Sequence, residues 1–192
     1  MKNLIVVLLF SLSLTSVWAQ KGRHEIRGGY GVGTSNEFIN SLKDMQATDA
    51  TNGLVSGDKT FKGAFQLGYK YSLTDKVNIG LGLAYEWADA NAYEDMHKIG
   101  KLNSDYYTVA AEMDYVYFRR EHFTFYSTLG AGANIYDQEY KTDDGNKNTE
   151  NKVNFNFQVS PVGIKYGDKF GFFGEIGFGY KGIFNFGLFT SF

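Results

Sequence analysis

Three histidines, His24, His97 and His122, supply the only imidazoles in this chain of 192 residues, which contains no cysteine. Hydrolysis or acyl transfer would need one of them within hydrogen-bond reach of a nucleophile and an orienting acid. No H-x-S or G-x-S-x-G pattern accompanies any of the three, so His97 with Ser104 is the sole candidate pair, for a lipid-modifying activity. The run Asp143-Asp144-Gly145-Asn146 suggests calcium, but it lacks the spacing and closing Glu of an EF-hand loop and is better explained as a turn. Gly29-x-Gly31-x-Gly33 imitates part of a dinucleotide fingerprint without the βαβ unit that such a site requires. No catalytic residue, metal or cofactor is expected.

The remaining chemistry is ionic, and its placement depends on the elements that carry it. From about Arg23 to Phe192, large apolar or aromatic residues occupy every second position, with Gly, Asn, Gln or a charge between them. Side chains of a strand point to opposite faces with period two, so the pattern predicts many strands with one greasy face and one small or polar face. The first runs over residues 24–33, and a helix follows over 34–45, opened by the capping box Thr34-x-x-Glu37 and striped by Phe38, Leu42 and Met45. That helix suits three roles: plugging the mouth, lying on the outer leaflet, or binding a partner. Resting against the rim is the expectation.

Seven further strands are predicted over residues 61–71, 77–87, 107–117, 123–135, 153–166, 170–180 and 184–192. Polar loops are predicted over 88–104 and 141–152. Apolar residues change phase at Ser160-Pro161, which predicts a β-bulge, because Pro cannot donate to a ladder. Long and short connections alternate, as in barrels with long extracellular loops and short periplasmic turns, which puts both termini in the periplasm.

An eight-stranded barrel has an interior just wide enough for side chains to fill. Phe, Tyr and Leu dominate the greasy face and would not fit there, so that face is assigned to lipid and the Gly, Ala, Asn and Thr face to the lumen. A soluble lipocalin-like barrel is the alternative for this period, and volume weighs against it. The lumen set then comprises Glu25, Arg27, Lys62, Lys70, Glu86, Glu112, Asp114, Lys165 and Glu175. Charges removed from water must pair. Parity predicts a Lys62–Glu86 cross-strand pair toward the mouth, and Arg27 meeting Glu112, Asp114 or Glu175 below, with one carboxyl left for a proton or a water. Tyr69, Tyr71, Tyr85, Trp87, Tyr107 and Tyr117 lie near strand ends, as interfacial aromatics do.

Lys2, the apolar run from Leu4 to Leu14 and the site Val17-Trp18-Ala19 predict a secretory signal over residues 1–19, followed by one domain over 20–192. The apolar run is shorter than the roughly 20 residues of a helical anchor. A formal net charge of -2 gives no reason to expect nucleic acid as a partner, and a mean hydropathy of -0.30 fits strands that average two faces.

The chain resembles the small outer-membrane β-barrel proteins of Gram-negative bacteria, of the OmpA/OmpX type and related outer-membrane β-barrel domain families. The terminal stretch with Phe184, Phe186, Leu188 and Phe192 resembles the insertion signal of that class, with Thr190 where an aromatic is commoner. The resemblance implies an all-β, eight-stranded antiparallel up-and-down transmembrane barrel with a short helix in its first outer loop. It further implies a monomer in the cell outer membrane, surrounded by outer-membrane lipid and inserted by the barrel-assembly machinery through its C-terminal strand. The expected role is non-enzymatic, structural or surface-interactive through extracellular loops, with a closed polar lumen. The alternatives are a narrow channel gated by the Arg27 network or a lipid-modifying enzyme using His97.

Overall fold

The computed structural model describes residues 22–47, 54–56, 59–94, 97–142 and 147–192. The expected signal segment 1–19 and the turn at 143–146 lie outside these residues, as do the side chains of Leu42, Met45 and His97. In chain order the elements are β1 (His24–Val32), α1 (Ser35–Ala47), β2 (Leu54–Ser56), β3 (Thr60–Ser72), β4 (Val77–Glu94), β5 (His97–Arg120), β6 (Phe123–Thr142), β7 (Lys147–Gly167), β8 (Phe170–Gly179) and β9 (Phe184–Ser191). Leaving β2 aside, each strand pairs antiparallel with the next in the chain, and β9 pairs back onto β1. The result is a closed eight-stranded up-and-down barrel with no lateral edge in its ring. At the seam the backbones of His24 and Phe192 exchange two hydrogen bonds, each 2.9 Å.

The greasy half of the alternation faces outward. Ile79, Leu81 and Leu83 of β4 are exposed, Leu81 by 58%, while Asn78, Ala84 and Glu86 on the other parity are buried. So much contiguous apolar surface has no counterpart on a soluble monomer, and it is the exterior that hydrocarbon requires of a barrel.

Strand lengths divide the ring into two sides. β1, β8 and β9 have 9, 10 and 8 residues, close to the roughly 9–11 that cross a bilayer. β4 to β7 have 18, 24, 20 and 21. They continue past the ring as a sheet at the end opposite the chain's last residue, called here the loop end. The segments 88–104 and 141–152, expected as polar loops, are therefore mostly paired strand, through Asp89↔Asn103 up to Glu94↔His97 and Asp137↔Asn151 up to Lys141↔Lys147. Period-two alternation marks a strand only where one face meets an apolar medium. Beyond that layer the backbone ladder needs no such signature. β2 adds to the margin of this sheet by pairing with residues 92–94 of β4.

Two of the bulges decide which way side chains face. The one expected at Ser160-Pro161 is present: β7 carries an extra residue there against both β6 and β8, so Val159 and Val162 both face outward. A second lies in β3, where Lys62 and Gly63 together oppose a single residue of β4. Gly63 has φ +75, and a Cβ there would meet Tyr30 Oη at 2.5 Å and Gly31 O at 2.6 Å. Glycine relieves both constraints. This bulge corrects two assignments. Phe61, which opens the predicted strand 61–71 and by its parity with Phe65 belongs to the greasy face, pairs instead with buried Ala88 and packs on Tyr106 at 6.0 Å between centroids. Lys62, expected in the lumen, is exposed.

In lipid vesicles, Leu81→Arg is expected to lower the unfolding free energy by about 2–4 kcal/mol, because it places a charge on the hydrocarbon-facing wall, and Leu73→Arg in the β3–β4 turn by about 1 kcal/mol or less. Urea titrations checked by tryptophan fluorescence measure both. Equal losses would contradict the assignment of faces.

Candidate functional site: the buried charge network

Arg27 of β1 is 3% exposed and spans the ring. Its guanidinium pairs with Asp114 of β5, with Glu25 two residues away, and with Glu175 of β8 at 3.3 Å. It lies 5.1 Å from the centroid of the Tyr126 ring and 5.8 Å from that of Phe173. A planar, weakly hydrated cation with five donors suits such a site, where two rings lie within about 6 Å and three carboxylates meet its nitrogens.

The excess of carboxylates over Arg27 that the sequence implied is neutralised by lysines. Lys70 of β3 bridges Glu112 at 2.7 Å and Asp114 at 2.8 Å. Lys181 reaches Glu112 at 2.7 Å, and Lys165 of β7 reaches Glu25 at 2.9 Å. Four cations thus meet four carboxylates in this layer, and no carboxyl needs a proton for charge balance. Hydroxyls and amides occupy the remaining oxygens: Tyr126 Oη donates to Glu175 at 2.8 Å, Thr128 Oγ1 to Asp114 at 2.9 Å, Asn185 Nδ2 to Glu175 at 3.3 Å, and Tyr180 Oη to Glu112.

Lys181 and Tyr180 escaped the sequence reading, in which Tyr180 ended the predicted strand 170–180 and Lys181 fell in the short reversal before 184–192. Both are buried, because the β8–β9 connection folds inward. Gly179 at φ +144 and Gly182 at φ +96 flank the pair and allow that path. Gln158 Oε1 holds it by accepting from Lys181 N at 2.8 Å. The Gly-Tyr-Lys-Gly spacing was the available signal.

Above this layer sits Glu86. Lys62 is not its partner. Ala64 occupies the opposed position, because the β3–β4 turn centres on Asp75, one residue later than a Lys62–Glu86 pairing requires. Glu86 instead receives the first turn of α1: Thr34 Oγ1 donates to Oε1 at 2.6 Å and Asn36 Nδ2 to Oε2 at 2.9 Å. Thr34 Oγ1 also accepts from Glu37 N at 3.2 Å, which is the cap expected from T-x-x-E. Ser35 Oγ donates to Asn156 Oδ1 at 3.1 Å, and Asn40 Nδ2 to Tyr106 Oη at 3.0 Å. The first turn of the helix is therefore tied through its side chains to buried Glu86 and covers the mouth. Between Arg27, Gln66, Glu112 and Lys181 a cavity of about 10 Å³ remains, room for one water at most.

The other sequence candidates are dispersed. His97 and Ser104 lie seven residues apart on β5, roughly 24 Å along an extended strand, too far for proton transfer. His24 Nδ1 shares a hydrogen bond of 2.7 Å with Tyr69 Oη, and the His122 ring lies 6.5 Å from that of Tyr166. Among the described residues no three His, Cys, Asp or Glu side chains are grouped to hold a metal. Tyr69, Tyr71 and Tyr117 lie toward the terminal end, and Tyr85, Trp87 and Tyr107 form a continuous stack toward the loop end, with centroids 5.6 and 5.0 Å apart. Phe184, Phe186, Leu188 and Phe192 are exposed on the outer wall of β9 and just past it.

The architecture is a closed eight-stranded up-and-down barrel with an apolar outer wall and a polar, ion-paired lumen. Among solved structures the chain is similar to the attachment invasion locus protein Ail of Yersinia pestis in complex with the heparin analogue sucrose octasulfate, at 15% identity over 90% of this chain and 96% of that one, with a TM-score of 0.48. A second structure of Ail matches at 14% identity over the same shares, with a TM-score of 0.44. No family model matches the sequence, and no curated protein does.

Arg27→Leu and Asp114→Leu are each expected to lower stability by about 3–5 kcal/mol, since each strands a partner in the lumen. Together they should cost less than the sum of the two. Lys62→Ala should change it by about 0.5 kcal/mol or less. Urea midpoints in detergent micelles give all four values. Additive losses at Arg27 and Asp114 would contradict direct coupling.

Proposed function

We propose that the protein is a non-enzymatic, monomeric barrel of the bacterial outer membrane whose lumen stays shut and whose work is done at the cell surface. A ring packed with paired charges, stoppered by α1 and by the inward β8–β9 turn, supports a closed body over a gated channel. Both termini then face the periplasm, and Phe184, Phe186, Leu188 and Phe192 serve as the signal for the barrel-assembly machinery. Extraction of residues 1–19 during export completes the path.

The surface role rests on one observation. The sheet of β4 to β7 stands beyond the ring with one margin covered by β2. On the other margin, β8 ends at Gly179 opposite Gln158, so residues 147–156 of β7 have no strand neighbour on that side among the described residues. Val153 and Phe155 are exposed there, Phe155 by 75%. A strand margin of this kind can accept an extended segment of another polypeptide.

Purified protein in planar bilayers is expected to show no steady openings, and such openings would contradict a shut lumen. On intact cells, Phe155→Cys should react with a membrane-impermeant maleimide, and Asp168→Cys only after the envelope is breached. The reverse pattern would overturn the orientation. A photoreactive group at position 155 should then join to polypeptide, and one at position 81 to lipid alone. Lipid adducts alone at both positions would overturn the surface role.

A further inference from the structure

On the short-stranded side of the ring the lipid-facing wall is completed by the helix. β1, β8 and β9 are just long enough to cross hydrocarbon, so their loop-end tips stand at its boundary. Val32 at the tip of β1 and Ile183 before β9 are both exposed. Only Gly33 and Thr34 separate β1 from α1, and two residues reach about 7 Å. The first turn of α1 is therefore pinned to the same level, and the hydrogen bonds of Thr34 and Asn36 to Glu86 hold it there.

The faces of α1 are divided accordingly. Asn36 and Asn40, one turn apart, point inward to Glu86 and Tyr106. At about 100° per residue Phe38 projects the opposite way, and it is 53% exposed, with Ile39 beside it at 47%. The Phe38 ring meets Phe178 of the outer wall edge-on at 5.7 Å, and Phe178 in turn lies 6.0 Å from Phe157. The rings are thus continuous from the wall onto the helix, through half-buried Phe178.

We infer that α1 is an interfacial anchor, with Phe38 and Ile39 buried at the headgroup–acyl boundary of the leaflet on the loop side. It supplies the aromatic belt where the strands are too short to do so. An amphipathic helix lying in that plane buries its apolar face about 5–10 Å below the headgroups. The inference rests on the outer-membrane reading, and its test separates the two.

Three single-tryptophan variants carry Phe38→Trp, Ile39→Trp or, as a mid-wall control, Leu81→Trp. Each is the full chain with Trp18 and Trp87 replaced by Phe, reconstituted in phosphatidylcholine vesicles. The indoles at positions 38 and 39 are expected to be quenched about twofold or more strongly by lipids carrying a nitroxide near the ester end of the acyl chain than near its methyl end, and to resist aqueous iodide. The indole at position 81 should respond most to the deep nitroxide. If position 81 senses lipid while positions 38 and 39 respond only to iodide, the helix face is in water and the inference fails. If those two are shielded from both quenchers, protein covers them, and it fails equally. If no position senses lipid, the membrane reading falls and takes the inference with it.

Discussion

Eight strands close into a tube that side chains alone can fill, and every charge placed inside gives up bulk water. That volume limit governs the rest of the molecule. Large apolar groups are driven to the outer wall, where only hydrocarbon suits them. The lumen keeps small residues and a charge set that must balance within itself, and it does so with Arg27, Lys70, Lys165 and Lys181 against Glu25, Glu112, Asp114 and Glu175. The pairs cross the ring rather than following it: β1 is tied to β5 and β8, β3 to β5, and β7 to β1. The backbone ladder fixes neighbours, and the ion pairs brace strands that are not neighbours. A buried pair of this kind adds little net stability over an apolar core of the same volume, but removing one partner is strongly unfavourable. The network is therefore a lock on one arrangement more than a source of affinity among strands.

The second organising fact is unequal strand length. Where β1, β8 and β9 stop at the boundary of the apolar layer, the chain covers the opening with its own first loop, whose polar turn enters the lumen at Glu86 and whose aromatic side turns outward at Phe38. Where β4 to β7 continue, they form a sheet beyond the ring with one margin covered by β2, while at 147–156 of β7 no strand of the described residues pairs on the other. Closure below and exposure above arise from the same backbone pattern, read at two heights.

Much of this was legible from alternation alone, because hydrocarbon on one side and a packed lumen on the other force period two on each strand. The slip at Pro161 was visible since Val159 and Val162 cannot share a face without a bulge. The slip at Gly63 was hidden: glycine carries no sign of which way it faces, and aromatic Phe61 and Phe65 on either side kept the apparent phase intact. Lys62 and Phe61 were misassigned for that reason. Tyr180 and Lys181 were missed because a two-residue reversal normally turns outward, whereas here flanking glycines let it fold in. The polar stretches that proved to be strand lie where neither face meets an apolar medium, so no hydrophobic period is written there. Parity placed Arg27, Lys70 and Lys165 in the lumen with their acids, but which acid each lysine meets depends on register, and Lys181 depends on a loop path that period alone does not encode.

The central claim is that the bulky parity of each strand meets acyl chains while the slender parity fills a tube of paired charges. Its most direct test is methyl NMR of the folded protein in lipid nanodiscs. Leu81, Leu129 and Leu188 should show intermolecular NOEs to acyl-chain methylene protons, with none from Thr128 or Ala110. NOEs from those leucines to the rings of Tyr126 or Tyr180, or their absence to lipid altogether, would contradict the account.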